Sequence, residues 1–185
     1  MVEEATYLGI TIGGKNGRKI FQIENDNVLD KARKKVNMVM GEVRKSADKA
    51  IVGKAVWKQM AVPSILFGRA VVPTSNTLAL NLQRKENMVW RHILGIGGYS
   101  AVASLRGEVG SSMMKTRIMD STLQYVRDVL TGKFGKIKEM MEDIISKRVG
   151  EWFRIVNSYI EELNITWDLL YILTKEEIKT LTKFL

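Results

Sequence analysis

The first stretch of this 185-residue sequence that could carry chemistry runs from Gly9 to Lys15 and reads G-x-x-x-x-G-K. In a phosphate-binding loop, such a run opens a helix and is followed by a serine or threonine whose hydroxyl binds magnesium. Asn16 takes that position here, and the alternating residues from Lys19 to Glu24 predict a second strand. We therefore interpret Gly14 to Gly17, which ends in Asn-Gly, as the turn of a β-hairpin.

Other residues that could form an active site are few. The sequence has no cysteine and one histidine, His92, which excludes disulfides, thiolate metal sites and nearly every zinc geometry. No serine or carboxylate arrangement points to His92, so a surface or hydrogen-bonded role suits it better than a catalytic one. The aspartates include no adjacent pair and stand at positions 26, 30, 48, 120, 128, 143 and 168.

The charge of the chain is basic and unevenly distributed. The formal net charge is +9, from 29 Lys and Arg against 20 Asp and Glu. Residues 1 to 135 carry 21 of the cations and 11 of the anions, whereas residues 136 to 185 carry 8 and 9. A basic balance favours a polyanionic partner such as nucleic acid. The basic surface therefore belongs to the first three quarters, and the balanced last quarter is typical of a packing or protein-facing module.

Composition also limits the size of the core and the compartment. With 45% hydrophobic residues the chain can bury one core, or one core with a small satellite. The opening Met-Val-Glu-Glu is acidic, whereas a secretory leader begins basic and then turns apolar, so we expect an intracellular protein.

A long basic helix is expected from Asn25 onward, because apolar residues recur every three or four positions between Val28 and Ala47. The other faces between Val28 and Lys49 carry seven cations against three acidic residues. Two interpretations stay open, a cationic ridge along a nucleic-acid backbone and an ordinary solvated face. The candidate backbone-binding residues on this helix and those after it are Lys31, Lys34, Lys35, Arg44, Lys45, Lys54, Lys58, Arg84 and Arg91.

The least polar stretch, Lys49 to Pro73, is expected to form the buried spine of a helical domain. Pro63 and the three internal cations Lys54, Lys58 and Arg69 exclude a membrane span, which needs about 20 uninterrupted apolar residues. Pro63 has no N–H to donate, so we expect a helix end or a kink at Val62. The predicted core residues are Ile51, Ala55, Trp57, Met60, Ile65, Leu66 and Val71.

Amphipathic helices are predicted for the rest of the chain, including one that ends at Gly95 and a final one capped by Thr174 and Glu177. The fold class is therefore mainly α, with one N-terminal β-hairpin followed by a helical bundle and further amphipathic helices. We divide it into residues 1–25, 26–98 and 99–185. The apolar residues of the last helix form one side of a packing contact whose other side the sequence does not supply, so we expect the chain to be truncated.

Four runs in order resemble non-LTR retrotransposon (LINE-type) reverse transcriptases, in the region just after the catalytic palm. They are TYLGITI at Thr6, WKQMAVPSILFG at Trp57, LQRKENMVWRHILGI at Leu82 and SLRGEVGSSMMKTRI at Ser104. The resemblance covers most of residues 6 to 130. It implies that Tyr7, Leu8 and Gly9 form a primer-grip hairpin, that residues 27 to 96 form a thumb-like bundle, and that the remainder is connection-like.

The same resemblance sets the expected activity and partners. Polymerase chemistry needs paired carboxylates that hold magnesium, and no such pair is in this sequence, so we expect no catalytic residues, no metal and no cofactor; magnesium would belong to the missing palm. The implied partner is an RNA–DNA hybrid or DNA duplex, bound without sequence preference, and the implied location is the nucleus. The missing palm or a second copy is a further expected partner. The alternative is a helical protein-interaction or self-association module with no nucleic-acid role.

Overall fold

A computed structural model of the chain describes residues 4–7, 10–13, 17–99, 101–132 and 135–183, with side chains from residue 22 onward. This part of the chain is mainly α-helical, as predicted. The helices are α1 Gly17–Lys45, α2 Lys49–Val56, α3 Val62–Leu66, α4 Asn76–Leu94, α5 Val102–Val109, α6 Met114–Thr131, α7 Lys136–Lys147, α8 Gly150–Glu162, α9 Trp167–Ile172 and α10 Lys175–Lys183. A π-helical turn, Trp57–Ala61, joins α2 to α3.

The predicted hairpin is wrong in its second strand. Residues 19 to 24 lie in α1, which begins at Gly17, and the expected turn residues 14 to 16 lie outside the described residues. Two shorter strands pair antiparallel before the helix, β1 Glu4–Tyr7 with β2 Ile10–Gly13. Six residues of alternation fit either period. A long helix gains one hydrogen bond for each residue added without a new nucleation cost, which favours its extension toward the N-terminus.

Two compact units make up the chain. Unit 1 comprises residues 1–67 and 76–115, and unit 2 comprises residues 68–75 and 116–185. The predicted division at residue 98 differs from this one, because residues 99–115, which include α5, belong to unit 1. Within unit 1, α1 packs against α4 and α2. The apolar stripe of α1 is fully buried there and consists of Val28, Ala32, Val36, Val39 and Val43.

The predicted spine is only partly buried. Trp57 and Ile65 are inside, but the side chains of Ile51 and Met60 are 69% and 56% exposed. The helix does not end at Val62, whose N–H donates to the carbonyl of Trp57 five residues back. A π-helical turn holds one residue more than an α-helical turn, so the apolar positions before and after it no longer share a face.

Unit 2 has its own apolar core, built where α6 meets α8, α9 and α10, with Leu123, Val156 and Ile178 among its buried members. Three side chains donate hydrogen bonds to carbonyls of the segment 68–75. Thr122 Oγ1 donates to Arg69 O over 3.2 Å, Trp152 Nε1 to Val71 O over 3.2 Å, and the Tyr159 hydroxyl to Thr74 O. Burial raises the pKa of the Tyr159 hydroxyl, so this donor keeps its proton. The segment is thereby fixed to unit 2.

The predicted caps of two helices, at the start of α10 and at the end of α4, are confirmed. Thr174 Oγ1 accepts from the N–H of Glu177 over 3.2 Å, and Glu177 Oε2 accepts from the N–H of Thr174 over 2.7 Å, which is a reciprocal capping box. The backbone hydrogen bond from Thr174 lowers the pKa of the Glu177 carboxyl. Gly95, with φ of 66°, ends α4 in the left-handed conformation that glycine adopts without strain.

Candidate nucleic-acid interface

The cations of α1 lie on two flanks of the helix. Lys31, Lys34 and Lys35 are three or four residues apart and share one flank, and Lys45 continues it toward the C-terminus. Lys31 Nζ lies 5.9 Å from the centroid of the Phe67 ring, so this flank, called here the lysine flank, is next to the end of α3. Arg33 and Arg44 lie on the opposite flank.

The second flank of α1 faces α4 across an open groove of about 510 Å³. The residues that line this groove, called the α1–α4 groove, are Leu29, Asp30, Arg33, Asn81, Arg84, Lys85 and Met88. Those from α4 are spaced by three, four and seven residues, which places them on one helical face. Three cations and one carboxylate therefore converge on the groove from the two longest helices of unit 1.

Asp30 is the one acidic side chain among those lining residues, and cations surround it. Arg33 Nη2 and Lys34 Nζ each lie 2.7 Å from its carboxylate oxygens. The hydrogen bond from Lys34 is the main cause that holds the pKa of Asp30 below its usual value. Asp30 thus orients Arg33 at the edge of the groove without cancelling its charge entirely, since exposed pairs of this kind are weak and screened by salt.

The other predicted cations are not gathered in the groove. Lys54 is exposed on α2, and Lys45 pairs with Glu42 over 3.2 Å. Lys58 Nζ donates to the carbonyls of Val109 and Gly110, each over 3.0 Å, and so caps the C-terminal end of α5. Lys58 therefore stabilises the fold of unit 1 through this contact.

Two groove residues, Arg33 and Lys85, were not among the predicted backbone-binding residues. Lys85 follows Arg84 directly and shares a helical face with it, and Arg91 and His92 stand seven residues further along that face. From that spacing, Lys85 could have been predicted to lie on the same face of α4 as Arg84 and Arg91. Arg33 could not be assigned in the same way, because which flank of α1 meets α4 depends on tertiary packing.

The predicted primer-grip residues stand at the N-terminus. Tyr7 is the last residue of β1, while Leu8 and Gly9 lie outside the described residues. The G-x-x-x-x-G-K match is followed by helix α1, so the strand expected after it is wrong. The described residues of the match, Ile10–Gly13, form a strand, whereas a phosphate loop wraps its backbone around a phosphate.

Neither a metal centre nor a membrane span is found in the described part of the chain. Among residues 22–99, 101–132 and 135–183, no three His, Asp or Glu side chains are grouped so that they could hold a metal ion. Within the described helices, none combines the length and the apolar character needed to cross a bilayer.

No family model matches the chain, and neither does any curated protein or solved structure.

Proposed function

We propose that this chain is a fragment of a retroelement reverse transcriptase that lacks the catalytic palm and binds the backbone of a template–primer duplex. Binding is independent of sequence, because contacts to phosphates position a protein without reading bases. The proposal rests on the four runs that resemble this family and on the basic surface of unit 1. In this proposal Tyr7, on the paired strands β1 and β2, belongs to the primer grip, polymerisation belongs to the missing palm, and the chain acts in the nucleus.

The observation that carries the proposal is the α1–α4 groove. Arg33, Arg84 and Lys85 approach it from two helices, so their charges reinforce one another in a concave site. Arg33 is well exposed, with 68% of its side chain accessible, and can reach a phosphate while it stays near Asp30. The lysine flank on the other side of α1 adds further positive charge to the same unit.

The test compares two triple variants that lose the same charge. One variant neutralises the groove with R33Q, R84Q and K85Q, and the other neutralises three exposed cations of unit 2 with K136Q, R154Q and K183Q. Fluorescence anisotropy is measured with an RNA–DNA hybrid, a DNA duplex and a single strand over a range of salt concentrations. The groove variant is expected to bind the hybrid at least tenfold more weakly, and its log–log salt slope is expected to fall by about 2 to 3, since each lost phosphate contact removes about 0.9.

The control variant is expected to keep most of its affinity and its salt slope. An equal loss in both variants would show that affinity follows net charge rather than the groove. A wild-type chain that fails to bind the hybrid at low salt would overturn the proposal itself.

The alternative is a helical protein-interaction or self-association module, and its self-association form is favoured by one surface of unit 2. An apolar groove of about 280 Å³ is lined by Val71, Tyr125, Ile137, Met140, Met141, Ile144 and Trp152. Ile137 and Met140 remain 50% and 65% exposed there. Methionine adapts its shape to a partner, and exposed apolar grooves often mark an interface.

Self-association through this surface predicts that the wild-type chain sediments faster as its concentration rises. M140E would bury a carboxylate in the contact, so this variant is expected to sediment as a monomer at every concentration. E139Q, on the neighbouring exposed residue, is the control that keeps the apolar surface intact. A wild-type chain that is monomeric throughout the concentration range contradicts the self-association form of the alternative.

A further inference from the structure

A second cavity lies entirely within unit 2 and has a different chemical character. Its volume is about 440 Å³, and its walls bring together an arginine, a carboxylate, a side-chain amide and two aromatic rings. Its charged, amide and aromatic lining residues are Arg148, Phe153, Asn157, Glu161 and Trp167. From this set, we propose that the cavity binds a purine mononucleotide with a guanine base. The cavity shares no lining residue with the α1–α4 groove of unit 1.

One wall of the cavity is an aromatic stack. The rings of Phe153 and Trp167 lie 5.7 Å apart between centroids, with an angle of 11° between their planes. Phe153 is buried, whereas Trp167 is partly exposed. A planar base packs favourably on such a wall, because every base offers a π-face to an aromatic side chain.

A chain of hydrogen bonds orients the polar side chains of the cavity. The indole N–H of Trp167 donates to Asn157 Oδ1 over 3.0 Å, so the amide turns its NH₂ group toward Glu161. Asn157 Nδ2 then donates to Glu161 Oε1 over 2.6 Å, which leaves Oε2 of this exposed carboxylate available. Guanine carries adjacent N–H donors on one edge. Oε2 can accept from one of them, and Oε1 can accept from the other through its second lone pair, beside its bond to Asn157. Adenine has a ring acceptor at the corresponding place, which a carboxylate repels.

Arg148 supplies the charge that suits a phosphate. It is exposed at the C-terminal end of α7, and a guanidinium binds phosphate through two parallel hydrogen bonds. Its backbone is left-handed, with φ of 53° and ψ of 39°. Glycine adopts this conformation freely, whereas other residues lose stability in it. Among the described residues the other non-glycine case is Asn164, and asparagine tolerates the conformation. Arg148 therefore carries backbone strain, and strain of this kind is often found at functional sites.

The backbone of Arg148 gives the proposal a sharp test, because stability and binding should change in opposite directions. R148G relieves the left-handed strain, so its melting temperature is expected to rise above that of the wild type. The same variant loses the guanidinium, so its affinity for GMP is expected to fall at least tenfold. K147Q removes the same charge one residue earlier, from a lysine that pairs with Asp143 and does not line the cavity, and it is expected to bind GMP within twofold of the wild type.

The measurements are isothermal titration calorimetry of the full chain with GMP, AMP and inorganic phosphate. The wild type is expected to bind one GMP, at least tenfold more tightly than AMP and more tightly than phosphate alone. E161Q places a donor where the base also has donors, so the preference for GMP over AMP is expected to fall at least fivefold. The unit 1 variant with R33Q, R84Q and K85Q is expected to bind GMP as the wild type does, which separates this result from the duplex experiment.

Three results would overturn the inference. The first is the absence of saturable GMP binding up to millimolar concentration. The second is an R148G variant that binds GMP as tightly as the wild type, which would leave Arg148 with a capping role alone. The third is equal affinity for GMP and inorganic phosphate, which would mean that the aromatic wall and Glu161 contribute nothing to binding.

Discussion

Replacing Gly53 with alanine is expected to destabilise unit 1, whereas the same substitution at Gly41 is expected to stabilise it. Both glycines lie inside helices, where alanine is normally the better residue by about 0.5–1 kcal/mol. A β-carbon at Gly53 would lie 2.5 Å from Ile93 Cγ1 and 2.8 Å from Val43 Cγ2, whereas a β-carbon at Gly41 would have no neighbour within 4 Å. At Gly53, therefore, α2 approaches both α1 and α4 too closely for any side chain.

The expected sizes follow from these distances. G53A must push Ile93 and Val43 apart in a packed core, so the free energy of unfolding is expected to fall by about 1–3 kcal/mol. G41A meets no obstacle, and the free energy of unfolding is expected to rise by about 0.5–1 kcal/mol. Denaturant titration gives both values, and hydrogen exchange shows whether the lost protection lies in α1, α2 and α4. Two changes of the same sign would contradict this account of the helix contact.

The sequence predicted those parts of the fold that depend on local pattern. The end of α4 at Gly95 and the capping box of Thr174 and Glu177 follow from residue type and spacing within a few positions. The exposure of Ile51 could not be predicted, because it depends on the phase change at the π-helical turn. Six alternating residues before Asn25 were also too few to distinguish a strand from the first turns of α1.

The candidate site shows the same limit. Arg84 and Lys85 are neighbours, and their shared helical face is visible in the sequence. Arg33 stands 51 residues before Arg84, and the two reach one groove only because α1 packs on α4 with a particular flank. The left-handed backbone of Arg148 likewise depends on how α7 ends, and no pattern of residues predicts it. The number and sign of the charges can therefore be read from the sequence, whereas the packing of the helices determines which charged side chains lie close together.

A buried hydrogen-bond network centred on Glu86 is the second feature with a large expected effect. Its carboxylate is 1% exposed and accepts from Trp57 Nε1 over 2.9 Å, from Gln83 Nε2 over 3.2 Å and from Ser111 Oγ over 3.4 Å. Gln83 Oε1 in turn accepts from the N–H of Met114 over 2.7 Å. Through these bonds the π-helical turn, α4 and the start of α6 are fixed to one another within unit 1.

E86A is expected to lower the free energy of unfolding by about 3–5 kcal/mol, because it removes an acceptor from buried donors and leaves a cavity. E86Q keeps the volume and one carbonyl oxygen, so its loss is expected to be smaller, about 1–2 kcal/mol. W57F removes the indole N–H and leaves a smaller aromatic ring beside Trp90, whose centroid lies 6.3 Å from that of Trp57, so part of its loss comes from the space that the smaller ring leaves. Denaturant unfolding of the three variants measures these losses.

The double variant W57F with E86A decides whether the contact between these two side chains is the cause. Once Trp57 has lost its N–H, removing the carboxylate no longer leaves that donor without an acceptor, so the two losses are expected to be less than additive. The expected coupling is about 1–2 kcal/mol, within the range found for residues in direct contact. Strict additivity would contradict the role assigned to the 2.9 Å hydrogen bond and would attribute the effect of E86A to the cavity and the remaining donors. In either result, the cycle isolates the coupling between Trp57 and Glu86 from the separate cost of each substitution.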